Sequence, residues 1–265
     1  MRLPLLFVLL FTATGSIAQL DGWNKGKGVL DLAFSASYQK ALAYYNADGE
    51  FPIERTRNAA SLFAAYGITR NLDVSVGIPF VRSGNVAGLQ DAQLFLKWLP
   101  LKKSGFTAGA GVGLSTPMTN YGTEGINAIG QQAIAFPAVG ILHYKWSSGL
   151  FASAVGGYIH KLEPVPSQWP LIVRIGLART AWYGEVYLDK LTATSGGDYR
   201  GTGDLAVASF RQIGVSYTRV GAKYYKPFAK RWGAALDVNY AIAGRNADRE
   251  LGVSLSLVRK FSFGK

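Results

Sequence analysis

The chain of 265 residues contains no cysteine and only two histidines and two methionines, and just 17% of its residues are charged. Without cysteine there is no disulfide framework, no thiolate metal site, no cysteine nucleophile and no lipid-anchoring cysteine. Two distant histidines leave little for a metal centre, so we expect neither a metal nor a cofactor. With 49% hydrophobic residues the chain is too apolar to be disordered.

The first eighteen residues have the parts of a secretory signal peptide. Arg2 supplies a positive charge, residues 3–13 are almost entirely apolar, and Ser16 and Ala18 place small residues before a cleavage point. An uncleaved membrane helix is the alternative, but the run is too short, since spanning the hydrocarbon takes roughly 20 residues. We therefore expect export, cleavage after Ala18, and a single mature domain over residues 19–265.

Beyond this region the sequence has no second apolar run long enough for a membrane helix and instead alternates with a period of two. In residues 72–80, large apolar side chains take turns with Asp, Ser, Gly and Pro. The pattern predicts about twelve strands, longer than those of soluble sheets and suited to tilted membrane-spanning strands. The predicted strands cover residues 28–39, 57–69, 71–82, 89–100, 105–116, 132–145, 149–160, 170–180, 182–190, 208–224, 231–243 and 250–262.

The predicted connections alternate between short and long, as in an up-and-down barrel of the bacterial outer membrane. In lipid every backbone group must be paired, and only a closed sheet has no free edge. We therefore predict an all-β fold, a closed antiparallel transmembrane barrel in the outer membrane with both termini in the periplasm. A soluble β-sandwich is the alternative, and its strands would be shorter. The long connections are predicted at residues 40–56, 83–88, 117–131, 161–169, 191–207 and 244–249, and the last short one is Lys226–Lys230.

Aromatic residues gather close to the predicted short turns. Indole rings prefer the level of the lipid headgroups, so this placement predicts an aromatic girdle on the periplasmic side. The predicted girdle consists of Trp98, Trp146, Trp182, Trp232, Phe261 and Phe263.

The same alternation assigns several charged side chains to the barrel interior. They could be a pore lining that selects solutes or a salt-bridged filling, and the sequence leaves both interpretations open. Many other inward positions are Gly, Ala or Ser, which suits a narrow water-filled lumen. The predicted lumen residues are Asp31, Asp73, Asp91, Arg174, Glu185 and Asp237, with Lys97 as a further candidate.

The net charge of +12 is concentrated near the predicted short turns and the C-terminus. A basic rim attracts anionic headgroups or phosphate, and an exported chain without a recognition motif is not expected to bind nucleic acid. We expect as partners outer-membrane lipids and lipopolysaccharide, the barrel-assembly machinery and an unidentified small solute. The basic residues of this group are Arg70, Lys97, Lys102, Lys103, Lys145, Arg179, Lys223, Lys226, Lys230, Arg231, Arg259, Lys260 and Lys265.

No catalytic residues are predicted. An outer-membrane hydrolase needs a His–Ser pair or a similar arrangement. Neither His143 nor His160 has a serine two residues away, and nothing in the sequence places Ser153 or Ser167 beside them. We therefore do not expect an enzyme.

Two adjoining stretches resemble a known family. RNLDVSVGIPFVRS (70–83) followed by GLQDAQLFLKWLPL (88–101) is similar to the core of outer-membrane proteins of the "MetA-pathway of phenol degradation" type. The opening at residues 23–28 is similar to that of many Bacteroidetes-type barrels. The resemblance implies a β-barrel that passes small, often hydrophobic or aromatic, compounds. The chain departs from the family pattern at Gln90, where the family has glycine, and in running two residues beyond Phe263.

Three functions follow from these observations. The first is a passive outer-membrane channel or transporter for small solutes, including hydrophobic or aromatic ones. The second is a non-conducting structural or adhesive barrel whose long loops bind a partner. The third, with the least support, is an outer-membrane lipid hydrolase.

Overall fold

The computed structural model describes residues 20–46, 49–125, 127–199, 206–207 and 209–263. The predicted signal peptide, residues 1–18, lies outside the described residues. Within the described chain, twelve long strands form the barrel wall. They are β1 (Val29–Asn46), β2 (Gly49–Gly67), β3 (Leu72–Ser83), β4 (Asp91–Lys103), β5 (Phe106–Pro117), β6 (Ala135–Lys145), β7 (Leu150–Lys161), β8 (Gln168–Ala178), β9 (Tyr183–Ala193), β10 (Ser216–Ala229), β11 (Trp232–Arg245) and β12 (Ala247–Ser262).

Each strand pairs antiparallel with its neighbours in chain order, and the first strand pairs with the last. The β1–β12 ladder runs from Val29 opposite Ser262 to Tyr45 opposite Ala247, so the sheet has no open edge along its length. A short segment, Val86–Leu89, pairs with the end of β3 and leads through Gln90 into β4. The prediction of a closed antiparallel barrel of twelve strands is confirmed.

Side chains alternate between the lumen and the outer surface. In β6, buried and exposed positions take turns from Ala135 to Tyr144, although the sequence alternates poorly there. On the outer surface large apolar side chains such as Val112, Ile175 and Leu255 are exposed. An apolar outer surface with charged residues inside is the arrangement of a barrel that spans a lipid bilayer.

Three of the six predicted long loops are instead tight hairpins. β1 and β2 keep pairing up to Asn46 opposite Gly49, and β3 turns at Gly84. β11 and β12 are joined through Asn246. Gly84 and Asn246 adopt positive φ angles of 56° and 52°, a conformation that glycine and asparagine tolerate and that closes a hairpin in few residues. The polar composition of these segments therefore predicted loops that are too long. Polar residues continue a strand as long as the neighbouring strand is there to pair with.

At the rim with short turns, here called the short-turn rim, two strands are longer than predicted, and β4 runs to Lys103 rather than to residue 100. β10 was predicted to end before a five-residue turn at Lys226–Lys230, but it extends to Ala229 and Pro227 pairs with Gly233. The chain therefore reverses at Lys230 and Arg231. The opposite rim, here called the long-loop rim, carries two long connections, one between β5 and β6 and one between β9 and β10.

Regular structure outside the barrel wall is sparse in the described residues. Asp198–Tyr199 pairs in parallel with Ala206–Val207, and Phe210–Gln212 forms a 3-10 helix that begins at Ser209. No helix in this part of the chain is long and apolar enough to cross a membrane.

An arginine placed on the outer face should destabilise the barrel. Leu255 is exposed and lies four residues from Arg259, near mid-height of β12. We expect Leu255→Arg to lower the free energy of unfolding in a bilayer by about 2–4 kcal/mol, the cost found for arginine at the midplane. Reversible urea unfolding in vesicles measures this change. Lys260→Arg, at the short-turn rim, should change it little, and equal losses for both variants would argue against a lipid-facing β12.

Candidate functional site: the barrel lumen

An inner N-terminal segment, residues 20–28, enters the lumen from the short-turn rim. Leu20 is almost fully buried among inward-facing apolar side chains of the β4–β8 half of the wall. These side chains fill that half of the cross-section and leave the opposite half less crowded. The cluster around Leu20 consists of Phe95, Leu99, Val139, Ile141, Val155 and Ile172.

Ion pairs hold the same segment to the wall. Lys97 Nζ lies 2.9 Å from a carboxylate oxygen of Asp21, and Lys25 Nζ lies 2.9 Å from Asp31. The backbone N–H of Lys25 donates to the carboxylate of Asp73 at 3.1 Å. Burial would raise the pKa of Asp21, but the ammonium groups of Lys97 and Lys25 outweigh it and lower the pKa to about 2. Asp21 is therefore charged throughout the physiological pH range.

Trp23 forms the aromatic part of this docking. Its ring lies edge-on to His143, with centroids 4.5 Å apart, and edge-on to Phe151 at 5.8 Å. Lys145 Nζ lies 5.2 Å from the Trp23 ring centroid. Gly22 makes this approach possible, because a Cβ at that position would come within 2.1 Å of the His143 Cβ.

An inner loop, described over residues 118–125 and 127–134, folds into the lumen from the long-loop rim. Tyr121 donates a hydrogen bond of 2.5 Å to Asp91, and its hydroxyl accepts one of 3.0 Å from the backbone N–H of Gln132. Burial and the nearby Asp91 carboxylate raise the pKa of Tyr121, so the hydroxyl stays protonated. Gln90 Nε2 donates to the backbone oxygen of Ile129. The residue that departs from the resembled family pattern thus anchors this loop.

The inner loop also contacts the second long connection across the mouth of the barrel. Gln131 Nε2 donates to the backbone oxygens of Phe210 at 3.1 Å and Ile213 at 3.2 Å. The backbone N–H of Phe210 donates to the Glu124 carboxylate at 3.0 Å. The two connections therefore form one cover over part of the long-loop rim.

Two cavities remain between these inserts. The short-turn chamber has a volume of about 650 Å³ and extends to Arg179, Pro227 and Lys260 at the short-turn rim. The long-loop chamber has a volume of about 390 Å³ and extends to Asn246 and Phe210. Both chambers share one set of lining residues, so they adjoin, and we call this set the shared ring. It consists of Asp91, Gln93, Gly130, Ile172, Asp189 and Arg219.

A charge ladder lines one wall of the long-loop chamber. Arg55 and Arg57 both donate to Asp248, at 2.5 and 3.1 Å. Arg219 donates to Glu250 at 2.8 Å and lies directly across the strand pair from Asp189. These groups are largely buried, and the pairing offsets the loss of hydration.

The structure places the predicted lumen residues on the inner face. Five of them, Asp31, Asp91, Arg174, Glu185 and Asp237, line the short-turn chamber. Asp73 is buried below the inner N-terminal segment, 3.5 Å from Lys97. Lys97 faces the lumen and therefore does not belong to the basic rim in which it was also counted, because its ammonium reaches Asp21 rather than a lipid headgroup. Lys265 lies outside the described residues.

The residues predicted for the aromatic girdle lie at the short-turn rim. Trp98, Trp146 and Phe263 are exposed on the outer surface. Trp182 stacks on Tyr224 with centroids 6.0 Å apart. Arg259 lies over both the Trp232 ring, at 4.9 Å, and the Phe261 ring, at 4.7 Å.

Sequence reasoning found Asp91 of the shared ring but missed its other members and the charge ladder. Asp189 lies four residues from Glu185 on the same strand, so it faces inward as well. This alternation was the sequence signal that could have identified it. Glu250 begins the last predicted strand and was assigned to neither face, and it is 4% exposed and faces the lumen from β12. Arg55 and Arg57 were placed in or beside a predicted loop, because their strand continues further than the sequence indicated.

The histidines do not form a catalytic site in the described structure. The sequence did not indicate a partner for His143, whereas the register places Ser153 directly opposite it. Neither side chain forms a hydrogen bond, and both are buried close to the inner N-terminal segment. His160 is exposed and stacks with Phe136 at 6.4 Å.

The fold is similar to solved outer-membrane barrels. The COG4313 outer membrane channel from Pseudomonas putida F1 has a TM-score of 0.71 and 14% identity, covering 89% of this chain and 96% of that one. KdgM porin has a TM-score of 0.56 and 10% identity, with coverage of 89% and 99%. NanC porin has a TM-score of 0.53 and 9% identity, with coverage of 89% and 100%. At these identities the likeness shows the fold.

No protein-family model matches the chain. No curated protein sequence matches it either. The resemblance to the MetA-pathway type therefore stays a prediction.

Proposed function

We propose that this protein is a passive outer-membrane channel for small solutes. The observation that carries the proposal is the pair of chambers, one reaching residues at the short-turn rim and one reaching residues at the long-loop rim, that share lining residues in the shared ring. A structural barrel has no need of two such adjoining cavities, whereas a diffusion channel needs space along its whole length. The channel and porin names of the similar structures support the proposal.

The outer face supports the proposed location. Apolar side chains face outward along every part of the wall, and aromatic residues gather at the short-turn rim. In outer-membrane barrels short turns face the periplasm and longer loops face outside. We therefore place the short-turn rim, the start of β1, the end of β12 and the inner N-terminal segment on the periplasmic side.

The short-turn chamber favours solutes that combine an apolar body with a polar group. Its lining includes the aromatic side chains of Trp23, Phe63 and Tyr187. Charges of both signs, such as Asp31 and Lys223, line the same chamber. Small amphipathic solutes, including aromatic ones, fit this lining better than simple ions do.

Conductance in a planar lipid bilayer tests the proposal. We expect purified, refolded protein to produce discrete current steps in potassium chloride, and liposomes that contain it to take up small neutral solutes. Protein that inserts and resists unfolding but gives neither current nor solute uptake would contradict the channel function. That result would favour the structural or adhesive barrel instead.

A further inference from the structure

Lys161 differs from the other cations that line the long-loop chamber. It is the last residue of β7, faces the lumen and is only half-buried. Its ammonium contacts Oε1 of Gln131 at 3.5 Å, and among the described residues no carboxylate forms an ion pair with it. Arg55, Arg57 and Arg219 are each paired with an acid, so Lys161 is the cation of this chamber that is left to meet a ligand.

The carboxylates of the chamber are already engaged. Asp248 accepts hydrogen bonds from Arg55 and Arg57, and Glu250 accepts from Arg219 and Gln39. Asp91, in the shared ring, accepts the short hydrogen bond from Tyr121 and acts on Lys161 electrostatically without an ion-pair contact. Asp189 accepts a hydrogen bond from Tyr217 at 3.3 Å. A side chain on the opposite wall would have to break such a contact to pair with Lys161. A small anion that enters the chamber can contact the Lys161 ammonium without breaking any of these hydrogen bonds.

The wall beside Lys161 is apolar. Ile159 precedes it by two residues on the same face of β7 and lies opposite Pro137 in the β6–β7 ladder. Pro170 on β8 and Ile129 on the inner loop line the same chamber. An ammonium next to a continuous apolar surface suits a ligand with a charged head and an apolar body, because the body is buried while the head is hydrogen-bonded.

We propose that the long-loop chamber binds small monocarboxylates, with the carboxylate on Lys161 and the apolar body against Ile159, Pro137 and Pro170. The inference deepens the proposed channel function, on which it rests for the route of the solute, by naming its substrate class. The chamber volume of about 390 Å³ admits a carboxylic acid of a few carbons. The charge ladder on the opposite wall supplies no free cation, so Lys161 determines the preference for the anion.

Butanoate and its neutral isostere butanamide are suitable probes. We expect butanoate to block the potassium chloride current of the wild-type channel in a saturable manner and butanamide to have little effect. Lys161→Met should raise the half-blocking butanoate concentration by about tenfold or more, since it removes a charge-assisted hydrogen bond. Lys161→Arg should restore most of the affinity. Lys103→Met, an exposed residue at the short-turn rim that lines neither chamber, is the matched control and should leave the block unchanged.

Equal block in wild type and Lys161→Met would overturn the proposal while leaving the channel function intact. If neither wild type nor any variant conducts, the channel function is wrong. Calorimetric titration of the detergent-solubilised protein with butanoate then tests whether the carboxylate site at Lys161 exists. Binding heat that is present in wild type and lost in Lys161→Met supports the site. Absence of binding heat in wild type, or equal heat in both proteins, overturns it.

Discussion

Releasing the inner N-terminal segment should raise single-channel conductance severalfold. Leu20 is 3% exposed and packs into the apolar cluster of the β4–β8 wall. Truncating such a side chain costs about 2–5 kcal/mol. Because Leu20 lies outside the strands, this cost weakens binding of the segment to the wall rather than pairing between the strands. We expect Leu20→Ala combined with Lys97→Met to shift the segment out of the lumen, because the second change also removes the ammonium that pairs with Asp21. Single-channel recording measures the result.

Two further variants separate release of the segment from loss of charge. Gly22→Ala removes no contact but forces a Cβ against His143. Because this clash also displaces the segment, the variant should raise the conductance as the double variant does. Lys103→Met changes the charge of an exposed residue at the short-turn rim and should leave the conductance near that of wild type. If the double variant and Gly22→Ala both conduct like wild type, as Lys103→Met is expected to, the inner N-terminal segment does not narrow the path.

Removing the anchor of the inner loop should widen the passage at the shared ring. Tyr121 is 6% exposed, packs with Ala59, Val81 and Ile129, and donates to Asp91. Truncating a buried aromatic side chain to alanine costs about 3–5 kcal/mol, and here it also removes the packing that holds the inner loop against the wall. We expect Tyr121→Ala to raise the conductance and to increase the size of neutral sugars that enter liposomes.

The exposed neighbour Asn120 provides the control for this variant. Asn120→Ala removes a hydrogen bond within the loop but no wall contact, and it should leave the size limit unchanged. A size limit that is the same in Tyr121→Ala and wild type would show that the inner loop is not the narrowing element.

The barrel wall was predictable because lipid imposes a strict pattern on it. Leu72 to Phe80 alternates in sequence, and β3 starts at Leu72 in the structure. β6 was harder to predict because most of its inward positions are apolar, like its outward ones, and one outward position is Gly140, so hydropathy hardly distinguishes its two faces. Its alternation is nonetheless complete, since the pleat rather than hydropathy determines which side chains face inward.

The contents of the lumen were not predictable in the same way. Nothing in the periodicity indicated that Leu20 and Trp23 enter the barrel, because a segment of nine residues without regular structure leaves no repeat in the sequence. The inner loop was predicted to be a long loop, but its inward course depends on tertiary contacts such as Tyr121 with Asp91. The alternation of side chains along each strand predicted which charged residues face inward. Their ion pairs with residues of distant strands could not be predicted, because they depend on closure of the barrel.

Cysteine modification at the shared ring tests the continuous path most directly. The natural chain has no cysteine, so a single introduced thiol is the only target. Gln93 lines both chambers, and its neighbour Leu94 is exposed on the outer surface. We predict that a bulky thiol reagent abolishes most of the current through Gln93→Cys and leaves the current through Leu94→Cys unchanged. A current through Gln93→Cys that persists after complete modification, verified by mass, would contradict a path through this ring.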